Sequence, residues 1–239
     1  MNPLPLVLGA GALAAIAVLF SSKPASAAEQ KIAVVIPSRK KVGGGGGPVV
    51  SFTKRKVFWR TNKRTKKEET RTQVIESPET LAAMASEKLG RKIPIGIFSL
   101  ATMIASEAGS QDLAKVAVAH AALTYTKKHG GGKTLHQLLV GKDGHYGGQQ
   151  GRYASTKNAP ALRDIEVAEA VAAGKILNPA PGAIQWDSPK AQDSLYAEGE
   201  AGYSSDADGL ARKREAEGKV AVFLPGVDRG YLRLWKTAA

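Results

Sequence analysis

Residues 95–107 constrain this chain more than any other segment. Ile95, Ile97, Phe98, Leu100, Ala101, Met103, Ile104 and Ala105 leave almost no polar face at helical spacing, so a helix here must be surrounded by other elements. It ends in Glu107, and Gly109 closes it. The neighbouring segments read as the layers that surround it. Ser77, Pro78 and Glu79 announce a helix with a capping hydroxyl, a first-turn proline and an acidic residue, and Leu81, Ala82, Ala85 and Leu89 give it one apolar face before Gly90. Residues 111–128 carry Leu113, Val116, Ala117, Ala119, Ala121 and Leu123, a long helix whose small side chains allow close packing. A short helix follows over residues 134–140. Asn158 and Pro160 are expected to cap another that runs to Gly174, with Leu162, Ile165, Val167, Ala168 and Val171 inward. A further helix is expected from Ser188 and Pro189, and short strands at 220–224 and 231–235. Residues 141–158, rich in glycine and polar groups, have the composition of an irregular loop over a site. The predicted class is mainly α with a few short strands.

Charge divides the 239 residues unevenly. From Lys31 to Thr72 there are 13 Lys or Arg against Glu68 and Glu69, a net charge of +11 (13 minus 2). From Gln73 onward the balance is 20 to 18, that of an ordinary folded domain. The excess therefore belongs to the segment before that domain. Ahead of it, residues 1–22 have no charged side chain and residues 4–20 are almost wholly apolar. A cleaved signal would use Ala25-Ser26-Ala27 but lacks Lys or Arg ahead of the apolar run. A membrane anchor through residues 4–20, near the lower length limit for a core about 30 Å thick, is the preferred reading. Lys23 and the later cations would then leave the rest of the chain on the cytoplasmic side.

Residues 32–36 read as a short strand. Residues 43–47 are five glycines, a flexible joint. Beyond them, residues 54–67 interleave cations with Phe58 and Trp59, just after Phe52. That pattern suits either an anionic lipid or nucleic acid partner, or a linker kept soluble by self-repulsion. The expected organisation is an anchor or signal over 1–22, a flexible basic linker over 23–76 and a folded domain over 77–239.

Glu107 is the residue that points to chemistry, because it ends a helix otherwise too apolar to carry a carboxylate. Burial and the negative end of the helix macrodipole both favour a protonated carboxyl there, the form that donates to a glycosidic oxygen. An exposed, solvated helix end is the alternative. With no cysteine, thiolate metal sites and disulfide scaffolds are excluded. His120, His129, His136 and His145 lack a zinc-ligand spacing, and His120 reads as a packed ring on an apolar helix. No metal or other cofactor is expected. Gly130-Gly131-Gly132-Lys133-Thr134 lacks the first glycine of a phosphate loop, since position 127 is Lys.

Three segments in order carry a resemblance. Ala101-Thr102-Met103-Ile104-Ala105-Ser106-Glu107-Ala108-Gly109, followed by Lys115-Val116-Ala117-Val118-Ala119-His120-Ala121-Ala122-Leu123, resembles the start of the spore cortex-lytic type cell-wall hydrolase family. Gly147-Gly148-Gln149-Gln150-Gly151-Arg152-Tyr153-Ala154-Ser155-Thr156 is similar to a loop of its phage-borne relatives. Asn178-Pro179-Ala180-Pro181-Gly182-Ala183-Ile184-Gln185-Trp186 resembles its Asp-Pro-x-x-Gly-Ala-x-x-aromatic segment.

The resemblance, over residues 95–186, implies a lysozyme-like helical domain that cleaves the MurNAc-GlcNAc bond of peptidoglycan, commonly as a lytic transglycosylase. Glu107 would be acid and base in turn. The chain departs from the family in having Ser106 before the glutamate and no arginine after Ala108. A hydrolytic route would add a second carboxylate, for which Asp143 and Asp187 are candidates. Gln149, Tyr153, Ser155, Thr156 and Gln185 are candidate sugar contacts, and Tyr146 or Trp186 a stacking platform; local loop packing accounts for each equally well. The expected location is a cell envelope or a virion. The competing reading is an adaptor there, which binds glycan without cleaving it and grips lipid or DNA through its basic segment.

Overall fold

The computed structural model describes residues 47–61, 66–140, 158–200 and 203–238, all within the unit Lys31–Ala239. Seven helices and five strands lie among the described residues, and the fold is mainly helical with a few short strands. The apolar residues 4–20, the strand expected over 32–36, the glycines 43–46 and most of the loop over 141–158 lie outside them. Among the described residues no helix is long and apolar enough to cross a membrane.

The central helix is α2 (Ile95–Glu107), in which every residue from Phe98 to Ala105 is buried. Around it pack α1 (Pro78–Leu89), α3 (Asp112–His129), α4 (Leu135–Val140) and α5 (Leu162–Ala172). The two polar side chains this burial takes in are bonded: Thr102 Oγ1 donates to the Phe98 carbonyl at 3.0 Å, and Ser99 Oγ lies 2.8 Å from His136 Nδ1. Ser77 caps α1 by accepting the Thr80 N–H, and Gly90 ends it in the left-handed conformation at φ 62°. In α3 the buried alanines let α5 and the strand β3 (Ala183–Asp187) come close.

The helix α5 starts differently from the expectation. Its N-cap is Ala161, whose N–H donates to Asp164 Oδ2 at 2.8 Å, while Asn158 donates its side-chain amide to the Ala105 carbonyl at the far end of α2. Asp164 also meets Lys115 of α3 at 2.7 Å, with both residues almost fully buried.

The last third of the domain is a three-stranded antiparallel sheet in the order β3, β5 (Arg233–Thr237), β4 (Lys219–Val222), with α6 (Pro189–Ala197) and α7 (Ala207–Ala216) between its strands in sequence. β4 and β5 lie within two residues of the expected strands. β3 and α7 were not foreseen: β3 exists because β5 pairs with it, and α7 begins at Asp206, which accepts the Gly209 N–H at 2.7 Å.

The linker expected over residues 23–76 is corrected by β1 (Lys54–Thr61) and β2 (Glu68–Val74), an antiparallel hairpin paired from Lys54↔Val74 to Thr61↔Glu68, with a bulge between Phe58 and Arg60. Packing into the core begins well before Ser77. Val49 and Val50 are buried, the Val49 N–H donates to the Pro160 carbonyl at 2.8 Å, and Phe52 and Val74 pack against the core from the hairpin root. Charge density says nothing against a ladder when cations such as Lys54, Arg55, Lys56 and Lys67 are exposed to water.

His120 Nε2 bonds to the Ile176 carbonyl at 3.0 Å, the packed ring expected. Burial holds both His120 and His136 below their ordinary value near 6.5; the Ile176 carbonyl opposes this at His120, and the Glu79 carboxylate at His136. As the pH falls through about 6.5, the unfolded chain therefore takes up the proton before the folded rings do. This share of the stability is present above about pH 6.5 and is lost as the pH falls toward the folded-state values. Urea unfolding midpoints should fall between about pH 7.5 and 5.5, and the fall should shrink in His120→Gln.

Candidate active site

The C-terminal end of α2 gathers the groups of interest. Glu107 is the helix's last residue and is partly exposed, a correction to the buried position expected from the apolar run. The Ala108 N–H closes the last turn onto Ile104, and the Asn158 amide takes up the Ala105 carbonyl, so the helix end is held firmly beside Glu107. Trp186, on β3, points its indole at the same place: Nε1–H donates to Glu107 Oε2 at 3.4 Å. At this length the bond is weak, and it sets the indole beside the carboxyl without clamping it.

Two tyrosines lie within reach of the Glu107 charge. Burial pushes the phenols of both Tyr203 and Tyr231 up, and the nearby Glu107 carboxylate adds to the rise in each; Glu200 contributes further at Tyr203. Tyr231 abuts the turn between α2 and α3 with its hydroxyl end, where Gly109 has φ +53°. A Cβ built there would sit 2.0 Å from the Tyr231 hydroxyl, so only glycine fits both the backbone and the ring. Neither tyrosine was visible as a site residue in the sequence. They stand 96 and 124 positions from Glu107, with no periodicity linking them to it.

Strand alternation sorts the remaining candidates. Gln185 pairs with Trp235 and Asp187 with Arg233, so these four occupy one face of the sheet, and Trp186 with Leu234 the other. Gln185 is therefore on the face away from Glu107, where its Oε1 is buried without a partner among the described residues. Asp187 lies within β3 rather than a loop, and its carboxylate is fully engaged. Arg233 donates to it from Nε at 3.2 Å and Nη2 at 2.6 Å, and the Trp235 indole N–H donates to its other oxygen. Arg233 Nη2 also donates to the Ala207 carbonyl at 3.0 Å, which ties α7 to the sheet. Such a carboxylate holds the fold together and is not poised as a nucleophile. Gln149, Tyr153, Ser155, Thr156, Tyr146, Asp143 and His145 lie outside the described residues.

One other arrangement has the outline of a catalytic group. Ser99 Oγ and His136 Nδ1 are 2.8 Å apart, and His136 Nε2 is 3.6 Å from Glu79 Oε1. Ser99 is only 1% exposed, so its hydroxyl has no path to a substrate, and the three side chains serve to fasten α4 to α1 and α2. Among the described residues no three His, Asp or Glu side chains are grouped to hold a metal ion. Comparison with protein-family models, with curated proteins and with solved structures finds no match to this chain.

Proposed function

We propose that this chain cleaves the glycan strand of peptidoglycan at the MurNAc-GlcNAc bond, as a lytic transglycosylase of lysozyme-like fold, working at a cell envelope or from a virion. The observation that carries the proposal is the placement of Glu107 at the carboxyl end of a buried helix, with the Trp186 indole on one of its oxygens and the Tyr203 and Tyr231 phenols within reach of its charge. Aromatic rings beside a single carboxyl are what a pyranose chain needs for its faces and its leaving oxygen.

In this mechanism the Glu107 carboxyl gives its proton to the glycosidic oxygen as the C1–O bond breaks. The resulting carboxylate then accepts the proton of the muramoyl 6-hydroxyl as that oxygen closes on C1. One acid suffices for both steps. Of the two candidates for the second carboxylate that hydrolysis would call on, Asp187 is engaged by Arg233 and Trp235. Digestion of purified peptidoglycan followed by mass analysis of the soluble muropeptides tests the proposal. The expected products end in 1,6-anhydromuramic acid. Reducing ends in their place would make the chain a hydrolase, and bound glycan with no released fragment would make it the adaptor.

A further inference from the structure

The β1–β2 hairpin takes no part in the glycan chemistry, yet it holds the densest charge of the domain. Lys54 to Val74 contains nine Lys or Arg against Glu68 and Glu69, a net charge of +7 (9 minus 2). Lys54, Arg55, Lys56, Lys66 and Lys67 are all exposed, and the root is fixed to the core through Val49, Val50, Phe52 and Val74. These five cations are therefore carried on a hairpin with an anchored root and not on a loose tether.

Phe58 is the second observation. It is 60% exposed, although burying such a ring is ordinarily favourable. Alternation along β1 sets it on the same face as Lys54 and Lys56, so that one face offers two cations and an aromatic ring within about 14 Å. A nucleic acid duplex would satisfy the cations but could take up the ring only by unstacking its bases. An anionic bilayer satisfies both, with phosphates at the surface and an apolar boundary just beneath. The apolar residues 4–20 lie 34 positions upstream of Lys54 in the same chain.

We propose that the β1–β2 hairpin docks on an anionic phospholipid surface, with Lys54 and Lys56 at the phosphates and the Phe58 ring at headgroup level. Arg55, Lys66 and Lys67 add longer-range attraction. The inference stands apart from the glycan reading, since neither Glu107 nor its surroundings enter it.

The test is co-sedimentation of the full chain with vesicles of phosphatidylcholine alone or mixed with phosphatidylglycerol. The expected result is a preference for the anionic vesicles that declines as salt is raised, a series that needs no variant. Lys54→Gln, Arg55→Gln and Lys56→Gln together should weaken anionic-vesicle binding on the order of 100-fold. Binding to neutral vesicles, which any apolar segment can provide, should be unchanged. Phe58→Ser alone should weaken anionic-vesicle binding about 10-fold and leave the salt dependence as it was. Equal binding to both vesicle types, or a triple variant with undiminished preference, overturns the proposal. So does duplex DNA that strips the chain from anionic vesicles at equal phosphate concentration, which would assign the hairpin to nucleic acid.

Discussion

Glu107→Gln is expected to reduce muropeptide release by at least about 100-fold, the low end of what a positioned general acid contributes. The substitution keeps the size of the side chain and an oxygen that can accept the Trp186 indole N–H, so α2 and β3 should stay joined. What it removes is the proton given to the leaving oxygen and the base that later accepts one. The far-ultraviolet circular dichroism and the thermal midpoint should match those of the parent chain. A variant that still lyses purified peptidoglycan at the parental rate would remove the mechanism. A parent chain that binds glycan and releases nothing would remove the activity as well.

The second large effect concerns stability. Lys115 and Asp164 meet at 2.7 Å between α3 and α5, and they are only 8% and 3% exposed. A pair buried this deeply contributes little net stability compared with apolar side chains of the same volume, because both ions lose their water. Breaking it is a different matter. Lys115→Ala leaves the Asp164 carboxylate in the core without its counter-charge and should cost about 3–5 kcal/mol. That corresponds to a fall in Tm on the order of 10 °C for a domain of this size. Lys115→Met combined with Asp164→Asn should recover most of the loss, because the asparagine oxygen can still accept the Ala161 N–H that starts α5. Urea unfolding of the two variants beside the parent measures the difference. A Lys115→Ala chain within about 0.5 kcal/mol of the parent would show that the ion pair is not what joins these helices.

Much of the helical domain was legible before any coordinates. The ends of α1 and α2 follow from Ser77, Pro78, Gly90 and Gly109, and the depth of α2 from its unbroken apolar composition. These are local signals, carried by residues within one or two helical turns of one another. Asn158 misled for the same reason. It has the chemistry of a cap and lies where a cap was needed, but the carbonyl it satisfies is that of Ala105, 53 positions away.

The candidate site was legible only in part. Glu107 stood out because a carboxylate is improbable at the end of such a helix, and Trp186 because of the segment in which it lies. Gln185 next to it could not be assigned a face until β5 was known to pair with β3 and Trp235 to stand opposite. Asp187 could be neither kept nor dismissed as a second carboxylate without Arg233, which is 46 residues distant in sequence.

The amino-acid sequence by itself determined where α1 to α6 run and which helix is innermost, since hydrophobic spacing and capping residues act over a few positions. Tertiary structure decided three things: that a strongly basic segment is a hairpin, that Asp187 is held by Arg233 and Trp235, and that Trp186 meets Glu107 with Tyr203 and Tyr231 within reach of its charge. Each depends on partners tens of residues apart, or on a ladder that exists only when both strands are present. The energy that selects such contacts comes from burial and pairing across the fold, to which no local pattern of residues is sensitive.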